Sequence, residues 1–214
     1  MPKQPLIVGN PVFVVVDMQE GGSMTADEAG IPVMPGHAER VERAERMLTA
    51  ARAAGVPVVF FQEVHRPSGI DFGRELDGVE GVHCVEGQAG TDLEPSLRPE
   101  PGEFHLVKRR YSGFIGTEFD IVLRGLKAST LILIGGLTDV CVHYTFADAH
   151  QRDYYVRVVT DCVGGSSQYR HDAALDAMEY LQTGAQRTTD EILAAFGEIA
   201  ANATSTPVLE GAAR

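Results

Sequence analysis

The sequence predicts an α/β fold in which a parallel sheet carries helices on both faces. Short, continuously apolar runs rich in β-branched residues recur along the chain, and segments with helical periodicity separate them. Apolar runs without polar alternation are typical of strands that are buried on both faces of a sheet. Because strands and helices alternate, each connection is expected to cross over, which makes neighbouring strands parallel.

The first half of the chain contains three expected strands and one long helix. Residues 12–17 (VFVVVD) are apolar up to the last position, as a buried strand requires. Residues 36–54 place apolar side chains on one helical face, and a glycine and a proline follow. Two more strands are expected at residues 56–62 (VPVVFFQ) and 103–108 (EFHLVK).

The second half continues the alternation. A short helix is expected at residues 117–125, with Thr117 as its N-cap. Residues 130–136 (TLILIGG) have the strongest strand pattern of the chain. The remaining expectations are a helix at 138–153, a strand at 154–160, a helix at 171–181, a short strand at 186–188, a helix at 189–196 and a frayed tail over about 200–214.

Residues 66–101, called the long loop below, interrupt this pattern. They are rich in glycine, proline and acids and have no clear periodicity. A loop of that length in a compact domain is often functional, and a plain surface excursion is the equally weighted alternative. With 214 residues, the whole chain, 1–214, is expected to form a single domain.

Charge and cysteine content exclude several classes of protein. The formal net charge is −12, so attraction to nucleic acid or to an anionic membrane is not expected. The cysteines are Cys84, Cys141 and Cys162, which are too few and too widely spaced for a disulfide framework or a thiolate zinc site. Residues 1–10 contain no apolar run typical of a signal peptide, so we expect a reducing, cytoplasmic location.

Two charged side chains come at the ends of predicted strands. In an open parallel sheet, ligands bind at the carboxyl ends of the strands, where the winding reverses. Asp17 ends the first strand and Lys108 the third. Taken alone, Asp17 is more readily a turn or cap residue, and Lys108, beside Arg109 and Arg110, is more readily part of a solvated basic surface.

Cys141 lies five residues beyond the fourth strand, in the expected first turn of a helix. A helix N-terminus favours the thiolate, so we expect a lowered pKa and a nucleophile. The preceding Gly135 and Gly136 can direct backbone N–H groups at a substrate oxygen. The alternative is a small buried core residue. Cys84 and Cys162 lack such a setting and are expected to be structural, although Cys84 can line an entrance.

Three segments carry a resemblance to a known family. VFVVVDMQ, VKRRYSGFIGTEFD and LILIGGLTDVCVHYTFADAHQRDY occur in this order. Together they resemble the isochorismatase-like cysteine hydrolases, over about residues 12–196. The resemblance implies a three-layer α/β/α sandwich with a six-stranded parallel sheet. It also implies a homo-oligomer, commonly a dimer or tetramer, that acts on a small molecule and needs no cofactor.

The resemblance assigns roles to individual residues. It implies a catalytic triad of Asp17, Lys108 and Cys141, and a cis peptide bond between Gly136 and Leu137. The N–H groups of Leu137 and Cys141 would form the oxyanion hole. Since true isochorismatases lack the cysteine and cleave a vinyl ether, Cys141 implies an amidohydrolase that cleaves a C–N bond through a thioester.

The segment EVHRP bears on metal binding and on the branch of the family. Nicotinamidases carry a metal on Asp-x-His followed by further histidines. Here Glu63 and His65, with Asp71 nearby, are expected to lack the further histidine ligands, so no metal is expected. EVHRP resembles the ureidoacrylate and biuret amidohydrolases more closely, and with N-carbamoylsarcosine amidohydrolases these suggest a ureido or carbamoyl substrate.

Candidate substrate contacts follow from proximity in sequence to these motifs. They are Phe61, Glu63, His65, Tyr111, Phe114 and His143, with His83 of the long loop as a further candidate. For Glu63 and His65 the alternative is a hydrogen-bonded pair that shapes the pocket floor, and for the others it is core packing or the surface. The aromatic residue usual after DMQ is replaced by Glu20-Gly21-Gly22, so the pocket is expected to differ. Competing hypotheses are ester, imide or vinyl ether hydrolysis, nicotinamidase-like activity, a non-enzymatic binding domain and a flavodoxin-like nucleotide binder.

Overall fold

The computed structural model describes residues 4–205. Within them, a sheet of six parallel strands has the order β3-β2-β1-β4-β5-β6. The strands are Asn10–Val16 (β1), Val58–Glu63 (β2), Phe104–Lys108 (β3), Ala128–Gly136 (β4), Tyr155–Gly164 (β5) and Gln186–Arg187 (β6). The predicted fold class is therefore confirmed, including the short last strand.

Helices cover both faces of the sheet. They are Ala26–Ala29 (α1), His37–Ala53 (α2), Phe119–Gly125 (α3), His143–His150 (α4), Gln168–Leu181 (α5) and Thr189–Ser205 (α6). Alternate side chains of β1 enter two separate cores: Val14 packs with α3, α4 and α5, whereas Phe13 packs with α2 and α6. The continuous apolar pattern of β1 thus reflects burial on both faces.

The winding of the chain reverses at β1. From this strand the chain proceeds outward through β2 to β3, then returns to place β4 on the other side of β1. At such a switch point the loops after neighbouring strands diverge and leave a crevice at their carboxyl ends. The crevice here lies above the ends of β1 and β4.

Some predicted boundaries are wrong. The helix expected at residues 138–153 begins with a π-helical turn, Thr138–Val142, in which the N–H of Val142 bonds the carbonyl of Leu137 five residues earlier. The strand expected to end at residue 160 continues to Gly164, so Cys162 lies within β5. α3 begins at Phe119, and the Thr117 hydroxyl accepts its N–H without being the N-cap.

The expected tail begins later than predicted. α6 continues through Ala200 to Ser205, and residues 206–214 lie outside the described part of the chain. The long loop contains only two short 3-10 turns, Glu75–Asp77 and Pro95–Leu97, and folds back over the carboxyl edge of the sheet. Among residues 4–205, no helix combines the length and apolarity needed to cross a bilayer.

Candidate active site

The two charged residues that the sequence places at strand ends, Asp17 and Lys108, lie in contact at the carboxyl edge of the sheet. Asp17 directly follows β1, and Lys108 is the last residue of β3. Lys108 is fully buried, and its Nζ lies 2.7 Å from Asp17 Oδ2. A buried ammonium is tolerated only where opposite charges compensate it. The contact with Asp17 supplies part of that compensation.

Glu63 supplies the rest. It is the last residue of β2 and is paired in register with Lys108, so the two residues lie side by side at the carboxyl edge of the sheet. Glu63 Oε2 lies 2.5 Å from Lys108 Nζ. Glu63 was expected to contact substrate at the pocket floor; the structure places its carboxylate directly on the lysine.

The thiol of Cys141 completes this group. Its Sγ lies 3.3 Å from Lys108 Nζ and 3.4 Å from Glu63 Oε2. One side-chain atom each of Asp17, Glu63 and Cys141 falls within 4.8 Å of the other two. We call Asp17, Glu63, Lys108 and Cys141 the reactive cluster. Three distant stretches of sequence thus converge as predicted, with one acid more than predicted.

Burial decides the protonation of the acid and the thiol. It raises the pKa of Asp17 to about 6; Lys108 opposes the shift and the Glu63 charge adds to it. Burial also raises the pKa of the Cys141 thiol well above its usual value, with Lys108 opposing and both carboxylates reinforcing the shift. The lowered pKa expected for Cys141 is therefore wrong, because desolvation and the two acids outweigh the one cation.

The other two members of the cluster keep their charges. Burial alone would lower the pKa of Lys108, but Asp17, Cys141 and Glu63 together raise it well above the usual value. Burial likewise opposes ionisation of Glu63, yet Lys108 and the rings of His65 and His83 hold its pKa well below the usual range. At neutral pH the cluster is a thiol, an ammonium and two carboxylates.

The cluster opens into a cavity of about 100 Å³. A volume of this size admits a small molecule and not a folded polypeptide. Its apolar lining comes from Met18, Met24, Ala29, Ile31, Val33, Met34, Ala89, Leu137 and Val140; its polar lining from Asp17, Gln19, His37, Arg40, Glu63, Glu80, His83, Cys84, Tyr111 and Cys141. Cys84 therefore lies at the cavity, as the sequence analysis allowed.

The peptide bond between Gly136 and Leu137 is cis, as the resemblance implied. Leu137 lines the cavity together with Cys141. The preceding Gly135 has φ +112°, and a Cβ there would lie 1.9 Å from the carbonyl oxygen of Val16. Only glycine permits this close approach of β4 to β1, which brings the chain before Cys141 next to Asp17.

Several predicted substrate contacts lie elsewhere. Phe61 is fully buried in the core against Phe119, with ring centroids 4.8 Å apart, and Phe114 packs on the same ring. His65 is fully buried behind Glu63, and neither it nor His143 lines the cavity formed by the described residues. These four predicted contacts are wrong. The ring of Phe61, within β2, and the ring of Phe114, in the segment before α3, both pack into the core around Phe119.

Two predicted candidates besides Glu63 reach the cavity. The Tyr111 hydroxyl donates to Glu80 Oε2 at 3.1 Å, and both residues form part of the wall. The Nε2 of His83, from the long loop, lies 3.0 Å from Glu63 Oε1. The long loop therefore forms part of the cavity wall and is not merely a surface excursion.

A second group of side chains can hold a metal ion. Glu63, His65, Glu75 and His83 are all buried and offer ligand atoms within 4.8 Å of one another. Imidazole and carboxylate are ligands that zinc and manganese accept. Glu75 Oε2 faces His65 Nε2 at 3.1 Å, and Oε1 has no hydrogen-bond partner among the described residues. The expectation that the further ligands are missing is wrong, because the long loop supplies a second histidine and a second acid.

Sequence reasoning missed Gln19. Its amide donates to the carbonyls of Glu63, at 3.0 Å, and Thr91, at 2.6 Å, and its oxygen accepts the Glu63 N–H. It thereby holds the end of β2 against the long loop. Its position two residues after Asp17 in DMQ was the available signal. Glu75 and Glu80 had none, because the loop that carries them has no periodicity.

Comparison with known proteins agrees with this geometry. The Isochorismatase domain model matches residues 11–191. The chain is 33% identical over 211 residues to a ureidoacrylate amidohydrolase, RutB, of Methylorubrum extorquens strain DM4, covering 89% of this chain and 80% of that protein.

Two solved structures are similar over most of their length. One is an isochorismatase-like hydrolase from Alkaliphilus metalliredigens, with TM-score 0.76, 27% identity and coverage of 88% of this chain and 100% of that one. The other is N-carbamoylsarcosine amidase from Thermoplasma acidophilum, with TM-score 0.68, 30% identity and coverage of 85% and 97%. With the family model matching most of the chain, this protein belongs to the isochorismatase family.

Proposed function

We propose that the protein is a cysteine-dependent amidohydrolase that cleaves the C–N bond of a small ureido or carbamoyl compound through a thioester. The observation that carries the proposal is the Cys141 sulfur at the cavity wall, 3.3 Å from a buried ammonium. That ammonium is held in turn by Asp17 and Glu63. A pocket that only binds ligands has no need of a nucleophile beside a base.

In the first half of the reaction, ionised Asp17 accepts the Cys141 thiol proton as the sulfur attacks the substrate carbonyl carbon. Lys108 stays protonated and stabilises the negative charge that develops on sulfur. The N–H groups of Leu137 and Cys141 hold the oxyanion, and one such donor is typically worth about 2.7–4 kcal/mol.

Collapse of the tetrahedral intermediate breaks the C–N bond. Asp17 returns its proton to the leaving nitrogen, and the acyl group stays on sulfur as a thioester. A water molecule then gives a proton to Asp17 and attacks the thioester carbon. The departing sulfur recovers the proton from Asp17, which restores the resting cluster.

Glu63 acts through Lys108. Its low pKa keeps it ionised throughout, and its contacts with His65 and His83 fix its position. We infer that it is a positioning residue that keeps the ammonium between Asp17 and the sulfur. Its negative charge also keeps Cys141 a thiol until a substrate is bound, which limits side reactions of the free enzyme.

The substrate class rests on the relatives and on the cavity. The similar proteins include one named for ureidoacrylate and one for N-carbamoylsarcosine. The cavity is small and offers polar groups beside an apolar wall. A cytoplasmic location and a homo-oligomeric state stay predictions, and light scattering in solution tests the second.

Glu63, His65, Glu75 and His83 would hold a divalent ion if one binds, and such an ion would supply a Lewis acid beside the cavity. The proton transfers above use only Asp17 and Cys141. We therefore expect turnover to survive treatment with a strong chelator.

Ammonia release from a panel of ureas, carbamoyl amino acids and simple amides, together with acid release from a panel of esters, tests the proposed function. The native protein and the chelated protein, with its metal content measured, are assayed side by side. We expect ammonia from ureido or carbamoyl compounds in both samples. Turnover of esters alone would refute the amidohydrolase assignment, and chelator-sensitive turnover that zinc or manganese restores would make the metal part of the reaction.

The rate is expected to fall in acid because Asp17 must be ionised to accept the thiol proton. With the pKa of Asp17 raised to about 6, kcat/KM should fall about tenfold per pH unit below that value. A profile of kcat/KM against pH, with circular dichroism at each pH to confirm folding, measures the effect. A rate that stays constant down to about pH 5 would contradict the role of Asp17.

A further inference from the structure

We propose that Arg40 binds a carboxylate group of the substrate, so that the substrate is a ureido or carbamoyl acid and not a neutral urea. This inference rests on the proposed function and adds a specificity-determining residue. Arg40 lies on α2, more than twenty residues from any member of the reactive cluster, and no motif drew attention to it. Its guanidinium reaches the cavity that contains Cys141.

The setting of Arg40 is unusual for a buried cation. Its side chain is only 9% exposed. Two of its N–H groups donate to backbone carbonyls, those of Pro35 at 2.8 Å and Met34 at 3.0 Å. No carboxylate of residues 4–203 lies within ion-pair distance of it, although a buried cation is normally paired with an acid. A guanidinium has five donors, so donors remain for an anionic ligand.

Two glycines make room for the side chains of Arg40 and His37 at the start of α2. A Cβ at Gly164 would lie 2.6 Å from the central carbon of the Arg40 guanidinium, so that group lies directly on the backbone of β5. A Cβ at Gly22 would lie 2.2 Å from the ring of His37, which is three residues before Arg40 on the same face of α2. The Gly21-Gly22 pair that replaces the usual aromatic residue therefore admits the first turn of α2 to the cavity.

His37 does not compete for the same ligand. Its Nε2 lies 2.8 Å from Glu94 Oε1, so an acid already faces this ring. Among the described residues that line the cavity, Arg40 is therefore the one Lys or Arg side chain, and it marks the end of the cavity next to β5. The opposite end carries Asp17 and Glu63, which repel an anionic group. A substrate with one carboxylate has only one orientation that satisfies both ends.

The separation of the two ends fits a short ureido acid. Gly164, beneath the guanidinium, pairs in register with Gly136, which precedes the proposed oxyanion donor Leu137. Neighbouring strands are about 4.8 Å apart. A carboxylate three or four bonds from a ureido carbonyl carbon lies about 4–5 Å from it. N-carbamoylglycine and 3-ureidopropionate have this spacing.

Substrate pairs that differ in charge test the proposal. 3-Ureidopropionate is compared with n-butylurea, in which an ethyl group replaces the carboxylate. We expect Arg40→Gln to lower the preference for the acid about 10- to 100-fold, mainly through KM, and Arg40→Lys to restore part of it. Arg43→Gln is the matched control, because Arg43 lies on the same helix, is 38% exposed and pairs with Asp161 at 3.6 Å.

A merely structural role for Arg40 would lower turnover of both compounds equally, and that result would overturn the proposal. So would a wild-type protein that hydrolyses butylurea as well as the acid. Binding of 3-ureidopropionate to Cys141→Ala, with and without Arg40→Gln, is measured by calorimetry and does not depend on turnover. If the wild type releases no ammonia from any ureido compound, the proposed function fails. If Cys141→Ala binds 3-ureidopropionate equally well with and without Arg40→Gln, the role of Arg40 alone is refuted and the proposed function is not.

Discussion

Replacing Cys141 with alanine is expected to abolish turnover and leave the fold intact. The proposed reaction has no other nucleophile, and loss of such a group typically lowers kcat by about 10⁴-fold or more. The change removes a single sulfur atom at the cavity wall, where the side chain is 7% exposed, so little core packing is lost. Initial rates of ammonia release and thermal melting followed by circular dichroism measure the two effects.

Cys162→Ala is the matched control for this experiment. Cys162 is fully buried in β5, and its thiol lies 3.3 Å from the backbone carbonyl of Arg40, outside the reactive cluster. This variant should lose more stability than Cys141→Ala and keep most of its turnover. In the wild type, mass spectrometry of a quenched reaction should detect an acyl adduct on Cys141. Near-normal turnover by Cys141→Ala would rule out the thioester mechanism.

Replacing Lys108 with methionine is expected to cost both stability and activity. The ammonium is fully buried, between Asp17 Oδ2 at 2.7 Å and Glu63 Oε2 at 2.5 Å. Without it, two buried carboxylates face each other, and loss of one partner from a buried ion pair typically costs about 3–5 kcal/mol. The free energy of unfolding, from urea denaturation at neutral pH, measures the loss.

The deficit of Lys108→Met should depend on pH. Without the ammonium, Glu63 loses the charge that holds its folded-state pKa low, and the pKa of Asp17 rises further above its unfolded value. The folded variant then binds more protons than the unfolded chain, so its stability decreases as pH rises through that range. We therefore expect the free energy of unfolding of Lys108→Met to differ less from that of the wild type at about pH 5 than at about pH 8.

Two further variants separate charge from packing. Lys127→Met makes the same chemical change at an exposed position and should alter stability by no more than about 0.5 kcal/mol. Adding Asp17→Asn to Lys108→Met removes one uncompensated acid and should recover stability without recovering turnover. If Lys108→Met unfolds at the same urea concentration as wild type at all pH values, the three side chains do not form the buried group described here.

The sequence predicted the architecture well because its main determinants are local. The apolar runs of β1, β2 and β4 have the length and composition of strands buried on both faces, and the helices between them impose parallel pairing. Parallel strands bring their carboxyl ends to one edge, so residues at strand ends were expected to meet. The proximity of Asp17 and Lys108 follows from this rule.

The boundary errors have an equally local cause. A π-helical turn at Thr138–Val142 and an ordinary helical turn share the same side-chain pattern, and they differ only in which carbonyl each N–H reaches. The end of α6 was missed because Ala200 and its neighbours resemble a polar, small-residue tail, whereas Ile199 and Ala200 pack on the core formed with α2. Packing across the structure overrode a weak local preference.

By itself, the sequence determined which residues form strands and helices. It also determined that Asp17, Lys108 and Cys141 lie at or just beyond the ends of three strands. Only the tertiary structure decided that Glu63 joins them, that Cys141 rests as a thiol and that Arg40 reaches the same cavity. The physical reason is that burial and charge compensation depend on which groups face one another in space. The aperiodic long loop, which brings His83 and Glu80 to the cavity, carries no local signal of where it folds.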